Sequence, residues 1–178
     1  MTVYLATRRG NRSWDIVTSQ QDNYLRSLRL KTIWPSNLAL KAFCEQGSFD
    51  DTHALLCQCG IYSFKPDVRD IIPVTNDGTI FGSVVIWGKV IECEYGYRSE
   101  YAYPVSLAGF CCLVCKRFSY SDTQLAFSRN DINIDQYKVY KAICNTCASL
   151  ATVKAQFRYI PLPANLLLKD LREFYNLR

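Results

Sequence analysis

The sequence contains one histidine and one methionine. With a single imidazole, His53, little is left for nucleophilic catalysis. If a metal takes His53, neither a Ser/His/Asp nor a Cys/His system can be assembled. The Gly-rich fingerprints of phosphate and dinucleotide sites are missing. The His-x-Glu and Pro-Cys-x-x-Cys pair of zinc deaminases is missing too, because Ala54 and Leu55 follow His53. No apolar run approaches the roughly 18–20 residues of a membrane span. The opening MTVYLATRRGNRSW turns basic by Arg8, without the apolar core of a secretory leader. There is no repeat, low-complexity tract or long charge run. These absences predict a cytoplasmic chain with no membrane partner and no familiar catalytic centre.

What is present is cysteine, nine residues in a chain of 178. Hydrophobic residues make up 49% of the chain, enough to bury a core without covalent staples. In a reducing compartment the cysteines then read as metal ligands or buried thiols before they read as disulfides. The formal net charge is +5, which permits an anionic partner without requiring one.

The patterning predicts a single α+β domain over 1–178, a bent, barrel-like antiparallel sheet with a zinc-ribbon-type insertion and a short helix near each end. Its sub-regions are an N-terminal arm and helix (1–32), a first metal site and β-hairpin core (33–108), a four-cysteine ribbon (109–150) and a C-terminal helix (160–178). In the arm, Arg8–Arg12 resembles a turn. Ser19 with Asp22 suggests a capping box, and Leu25 and Leu28 lie one helical turn apart, so a helix is expected over about 20–31. LALKAFC could form a short strand, and CGIYSF reads as another. TIFGSVVIWGKVIEC reads as a long strand bent at Gly82 and Gly88. Glu94–Tyr97 is the expected hairpin turn, and Pro104 should end the returning strand or place it at an edge. Leu167, Leu171 and Tyr175 recur at i, i+4, i+8, the stripe of an amphipathic helix entered from a proline-rich turn.

Two Cys-x-x-Cys pairs, Cys112/Cys115 and Cys144/Cys147, stand 28 residues apart. Each such turn aims two thiolates at one point, and two of them complete a tetrahedral zinc site. Lys116 and Arg117 follow the first pair and would offset the thiolate charge. A redox pair would be expected alone at a helix start, so the duplication favours metal. Cys111 adjoins Cys112 and could replace it, although only Cys112 gives the two-residue spacing. A second set, Cys44, His53, Cys57 and Cys59, supplies three thiolates and an imidazole within 16 residues. That composition suits a second zinc ion. The competing reading is a surface histidine beside cysteines buried in the CGIYSF strand. Cys93 and Cys111 are left over as small hydrophobes in β context. Both ligand sets are full and thiolate-rich, which favours structural over catalytic zinc.

The hairpin WGKVIECEYGYRSEYAYP collects tyrosines around Glu92, Glu94, Arg98 and Glu100. Trp87, Tyr97, Arg98, Glu100 and Tyr101 could line a ligand surface. Alternatively, the tyrosines form a half-buried cross-strand face and Arg98 pairs with a hairpin glutamate. Arg8, Arg9, Arg12, Arg26, Arg29, Lys116 and Arg117 are candidates for a basic patch.

Trp34-Pro35, Cys44, His53, Cys57-x-Cys59-Gly60-Ile61-Tyr62, Trp87-Gly88-x-Val90 and Gly96-Tyr97-Arg98-x-Glu100-x-Ala102-Tyr103-Pro104 together resemble a set of bacterial proteins. That set carries a CxCGIYA stretch followed by WGxV and GYRxExAYP. The likeness spans roughly residues 33–105 and brings no activity with it. It implies that the first ligand group and the hairpin belong to one module. Residues 109–150 resemble zinc ribbons in general. The functional expectation is a two-zinc, non-enzymatic binding or adaptor module that contacts nucleic acid or a nucleic-acid-handling protein. A small-molecule or peptide reader is the first alternative and a carboxylate-dependent enzyme the second.

Overall fold

The computed structural model describes residues 2–19, 22–28, 31–44, 58–68, 78–119, 123–128 and 137–177. Its strands are β1 (Thr2–Leu5), β2 (Arg8–Ser19), β3 (Asp22–Ser27), β4 (Leu40–Lys41), β5 (Ile61–Phe64), β6 (Ile80–Glu92), β7 (Gly96–Cys111), β8 (Phe118–Ser119), β9 (Thr123–Ser128), β10 (Lys138–Cys144) and β11 (Phe157–Pro163). Among the described residues three short helices accompany them: α1 (Asn145–Ala148), α2 (Ala151–Gln156) and α3 (Ala164–Phe174). The described chain is sheet-rich, as its β-branched and aromatic content favours.

The β6–β7 hairpin is the spine. Along β6, Ile80, Val84, Ile86 and Val90 face the core and alternate with half-buried positions. Register shifts fall at Phe81/Gly82, Ser83/Val84 and Trp87/Val90, so the strand bends where the glycines were expected to bend it. Gly88 takes φ +78°, where a side chain would be strained. The pairing order is β1-β6-β7-β5-β2-β10-β9-β11, and β6 also pairs with β2. The path therefore returns on itself through β2, β6, β7 and β5, linked at Asn11↔Phe64.

Three local expectations are corrected. The first concerns 20–31, where the strand β3 replaces a helix: Leu25 lies opposite Ile16, and Ser19 opposite Asp22. The apparent capping box is the end of a hairpin, with Thr18 Oγ1 donating to the Asp22 carbonyl at 3.0 Å. The second concerns Arg8–Arg12, which starts β2 rather than turning. Gly10 is there for close approach, since a Cβ would meet Ser63 Oγ at 2.4 Å. The third concerns Pro104, which does not end β7. It is buried opposite Val84 at a register shift, where the ladder is already interrupted and its missing N–H costs little.

The core gathers Trp14, Ile16, Leu25, Trp34, Phe110 and the β6 residues beneath α3. Trp14 and Trp34 meet edge to face at 5.5 Å. The amphipathic stripe of α3 is as expected, with Leu167, Leu168, Leu171 and Tyr175 all buried. The helix is entered from β11, so the expected proline-rich turn is strand instead. Tyr175 pins it: its hydroxyl accepts from Leu25 N–H at 3.0 Å and donates to the Trp34 carbonyl at 2.8 Å. The helix ends in a Schellman arrangement. Leu177 N–H donates to the Arg172 carbonyl and Asn176 N–H to that of Glu173, with Asn176 at φ +51°.

Strand β10 joins the core to the cysteine-bearing lobe. The first half of β10 pairs with β2, at Lys138↔Thr18 through Tyr140↔Ile16. Its second half pairs with β9, at Lys141↔Ala126 through Cys144↔Thr123.

Candidate metal centre

The first cysteine pair sits where β7 runs out. Strand alternation separates Cys111 from Cys112. Cys111 Sγ faces the Lys116 carbonyl at 3.5 Å, while Cys112 turns toward the second pair. This geometry selects Cys112 over Cys111. The following turn closes with Lys116 N–H on the Cys112 carbonyl at 3.1 Å and Cys112 N–H on the Arg117 carbonyl at 2.9 Å. Lys116 adopts φ +63° to make that turn. The second pair begins at the last residue of β10, Cys144, and ends inside α1 at Cys147.

The four sulfurs of Cys112, Cys115, Cys144 and Cys147 all lie within 4.8 Å of one another. Cys115 Sγ and Cys144 Sγ are 3.7 Å apart. With zinc–sulfur bonds of about 2.3 Å, a tetrahedral site places its sulfurs about 3.8 Å apart. All four thiols are free, and the donor set fits zinc. Val114 N–H and Cys144 N–H both donate to Cys112 Sγ, at 3.4 and 3.3 Å. Burial raises the Cys112 thiol, but N–H donation from Cys144, Cys115 and Val114 outweighs it and brings it to about 7. Burial and the adjoining sulfurs push Cys147 up to about 12, and burial also raises Cys144. Thiols packed this closely resist joint ionisation unless a cation sits among them, and a divalent metal reverses that preference. Ile143, Ala148 and Val153 wrap the buried side, with Leu113 and Phe157 partly buried against them. Lys116 and Arg117 are exposed beside the first turn.

The second proposed ligand set falls only in part within the described residues. His53 and Cys57 lie outside them. Cys44 is a buried free thiol, whereas Cys59 is disulfide-bonded. A cystine sulfur offers no thiolate, so Cys59 can ligate a metal only after reduction. Cys93, expected to be a small hydrophobe, packs with Cys59 and Ala42 against Ile91.

Trp87 and Tyr101 lie opposite each other across the hairpin. Their rings stack at 5.9 Å with planes 15° apart, and Lys41 caps Tyr101. Lys65 approaches both the Tyr97 ring and Glu92, the latter at 2.7 Å. Glu92 also accepts from Tyr4, and Glu100 accepts from the Lys89 N–H at 3.3 Å. Arg98 is buried, at 5% exposure, so an external anion does not meet it at the surface.

The basic patch is also corrected. Arg12 reaches inward, donating to the Tyr62 carbonyl and to Ser27 Oγ, with its guanidinium over Trp34. Burial lowers its pKa to about 10. Arg26 is buried in an ion pair with Asp15 at 2.8 Å. Lys141 reaches the other Asp15 oxygen at 2.7 Å. Arg29 lies outside the described residues. Of the expected patch, Arg8, Arg9, Lys116 and Arg117 are at the surface.

The Asp15–Arg26–Lys141 group was not anticipated. Its signal in the sequence was an acid set between Trp14 and Ile16, in a stretch that otherwise reads as core. No described helix is long and apolar enough to cross a membrane. Searches of family models, curated proteins and solved structures found no match to the chain.

Proposed function

We propose that Cys112, Cys115, Cys144 and Cys147 hold one structural zinc ion in a zinc-ribbon-like lobe, and that the chain is a non-enzymatic binding module. The observation that carries this reading is the convergence of four free thiols from two separate turns at zinc-compatible spacing. The set is complete and leaves no open position for a reacting ligand. The zinc would fix a lobe whose own apolar cluster is small, and it would hold best where thiols stay reduced, as in the cytoplasm.

Within this reading the partner is nucleic acid or a nucleic-acid-handling protein, met through exposed cations. The net charge of +5 and the exposure of Lys116 and Arg117 beside the centre support it. A peptide or small-molecule reader on the hairpin is less favoured, because Arg98 is buried and Trp87 and Tyr101 occupy each other's faces. A second zinc on Cys44, His53, Cys57 and Cys59 belongs to the proposal for the reduced chain.

Native mass spectrometry of protein purified under reductant tests the assignment. One zinc lost in Cys144→Ser supports the first site; an ion retained there, or iron in its place, refutes it as stated. A further equivalent lost in Cys44→Ser reads the second site. Binding of labelled single- and double-stranded DNA and RNA across a salt series tests the partner. Each phosphate contact contributes roughly 0.7–0.9 to the log–log slope, so Lys116→Ala with Arg117→Ala should flatten it by about 1.4–1.8.

A further inference from the structure

The two knuckles are not equally open. Cys112 and Cys147 are buried, at 1% and 6% exposure, whereas Cys115 is exposed and Cys144 intermediate. Cys112 is also held in place by N–H donation from Val114 and Cys144. The two more open sulfurs belong to different knuckles and lie 3.7 Å apart.

We infer that Cys115 and Cys144 form an oxidation site, at which peroxide links the two knuckles by a disulfide and releases the metal. This rests on the zinc reading of the four-cysteine site. A thiol's exposure decides which sulfur an oxidant meets first, and its nearest accessible neighbour decides the pairing. The Cys115 sulfur attacks hydrogen peroxide. An S–O bond forms, the O–O bond breaks, and hydroxide leaves and is protonated to water. The Cys144 thiolate then attacks the Cys115 sulfur. The S–S bond forms, the S–O bond breaks, and a second hydroxide leaves as water. Two thiolates lose two electrons in all, and one peroxide becomes two waters. Zinc retains only the Cys112 and Cys147 thiolates and departs as the divalent ion.

The pairing is the discriminating feature. A solitary redox Cys-x-x-Cys closes on itself, giving Cys112–Cys115 or Cys144–Cys147. The inferred link instead joins β7's end to β10's end. It would hold the lobe's two turns together after the metal has gone, so that reduction and zinc could restore the centre.

The test uses the full chain, purified under reductant, desalted and titrated with hydrogen peroxide below one equivalent. Released zinc is read with a chromogenic chelator, and disulfides are mapped by mass spectrometry after tryptic digestion without reduction. Trypsin places Cys112 and Cys115 in the peptide 99–116, and Cys144 and Cys147 in the peptide 142–154. A Cys115–Cys144 bond therefore appears as two linked peptides, whose fragmentation identifies the bridged residues and separates Cys115 from Cys111. A bond within a knuckle leaves the peptides unlinked. The expected result is the linked species as the lobe's first disulfide, with about one zinc released per link. A within-knuckle bond as the lobe's first disulfide overturns the inference. If the fresh protein carries no zinc, the structural-zinc reading fails, and the order of disulfide formation still decides the inferred pairing. Because Cys115→Ser could weaken folding, the wild-type map is primary. A Cys111→Ser variant, expected to keep both zinc and the link, controls for the adjacent thiol.

Discussion

The hairpin core and the cysteine lobe solve one problem with different means. The core assembles Trp14, Trp34, Phe110, Tyr175 and a row of β-branched residues into one continuous apolar cluster. Among the described residues, the lobe's cluster has five buried members, Cys112, Ile143, Cys147, Ala148 and Val153, and two of those are cysteines. Apolar burial of about 25 cal/mol per Å² can hold the first region without help. The described residues of the second bury far less, and its helices α1 and α2 are far below the length at which helices persist alone. A fold can therefore keep a lobe too small for its own core if a few ligands converge on an ion.

The sharpest way to break this comparison is to remove the metal. Structural zinc contributes on the order of 10 kcal/mol to small zinc modules. Chelation, or Cys144→Ser, should abolish hydrogen-exchange protection in β10's second half and α1 while β6 and β7 retain theirs. Equal loss in both regions would show that the lobe is not separately held.

Next in size is Asp15, the charge between the two regions. Asp15→Ala strands Arg26 and Lys141, and breaking a buried ion pair costs about 3–5 kcal/mol. The low end is expected, because Lys141 is 28% exposed and can turn to water. Denaturant unfolding measures this. Burial raises the Asp15 pKa, but Lys141 and Arg26 outweigh it and leave the folded value lowered. Its stabilisation is therefore complete above the ordinary aspartate value of about 4. It is lost as pH falls through the lowered folded value, and Asp15→Asn should flatten that acid limb.

Tyr175→Phe tests the core alone. It leaves the Leu25 N–H and the Trp34 carbonyl without their shared hydroxyl, at about 1–3 kcal/mol. Thermal melts should fall, while zinc content stays unchanged. The smallest effect expected is a gain. Asn176→Gly relieves a left-handed residue at the end of α3 and should add up to about 1 kcal/mol.

Legibility in the sequence followed the range of the interactions. The β6 strand, its bends, the turn before β7 and the α3 stripe were readable, because each is written in consecutive residues. The 20–31 segment misled because Leu25 and Leu28 mimic a helical stripe, while the partner that makes it a strand, Ile16, sits across a hairpin. Pro104 misled because its exemption depends on a register shift in β6. Arg12 and Arg26 looked like surface cations, since nothing local announces Ser27, the Tyr62 carbonyl or Asp15 as their partners.

The sequence by itself determined the four metal-ligating candidates, because two-residue spacing in a knuckle is a local geometric fact. It also determined the long bent hairpin and the apolar face of the last helix, through side-chain periodicity. Only the tertiary structure decided that Cys112 rather than Cys111 faces the other pair, that Arg12, Arg26 and Arg98 are interior, and that Cys115 and Cys144 are the open sulfurs. Those outcomes depend on which residues distant in the chain pack against one another, and spacing along the chain does not encode that.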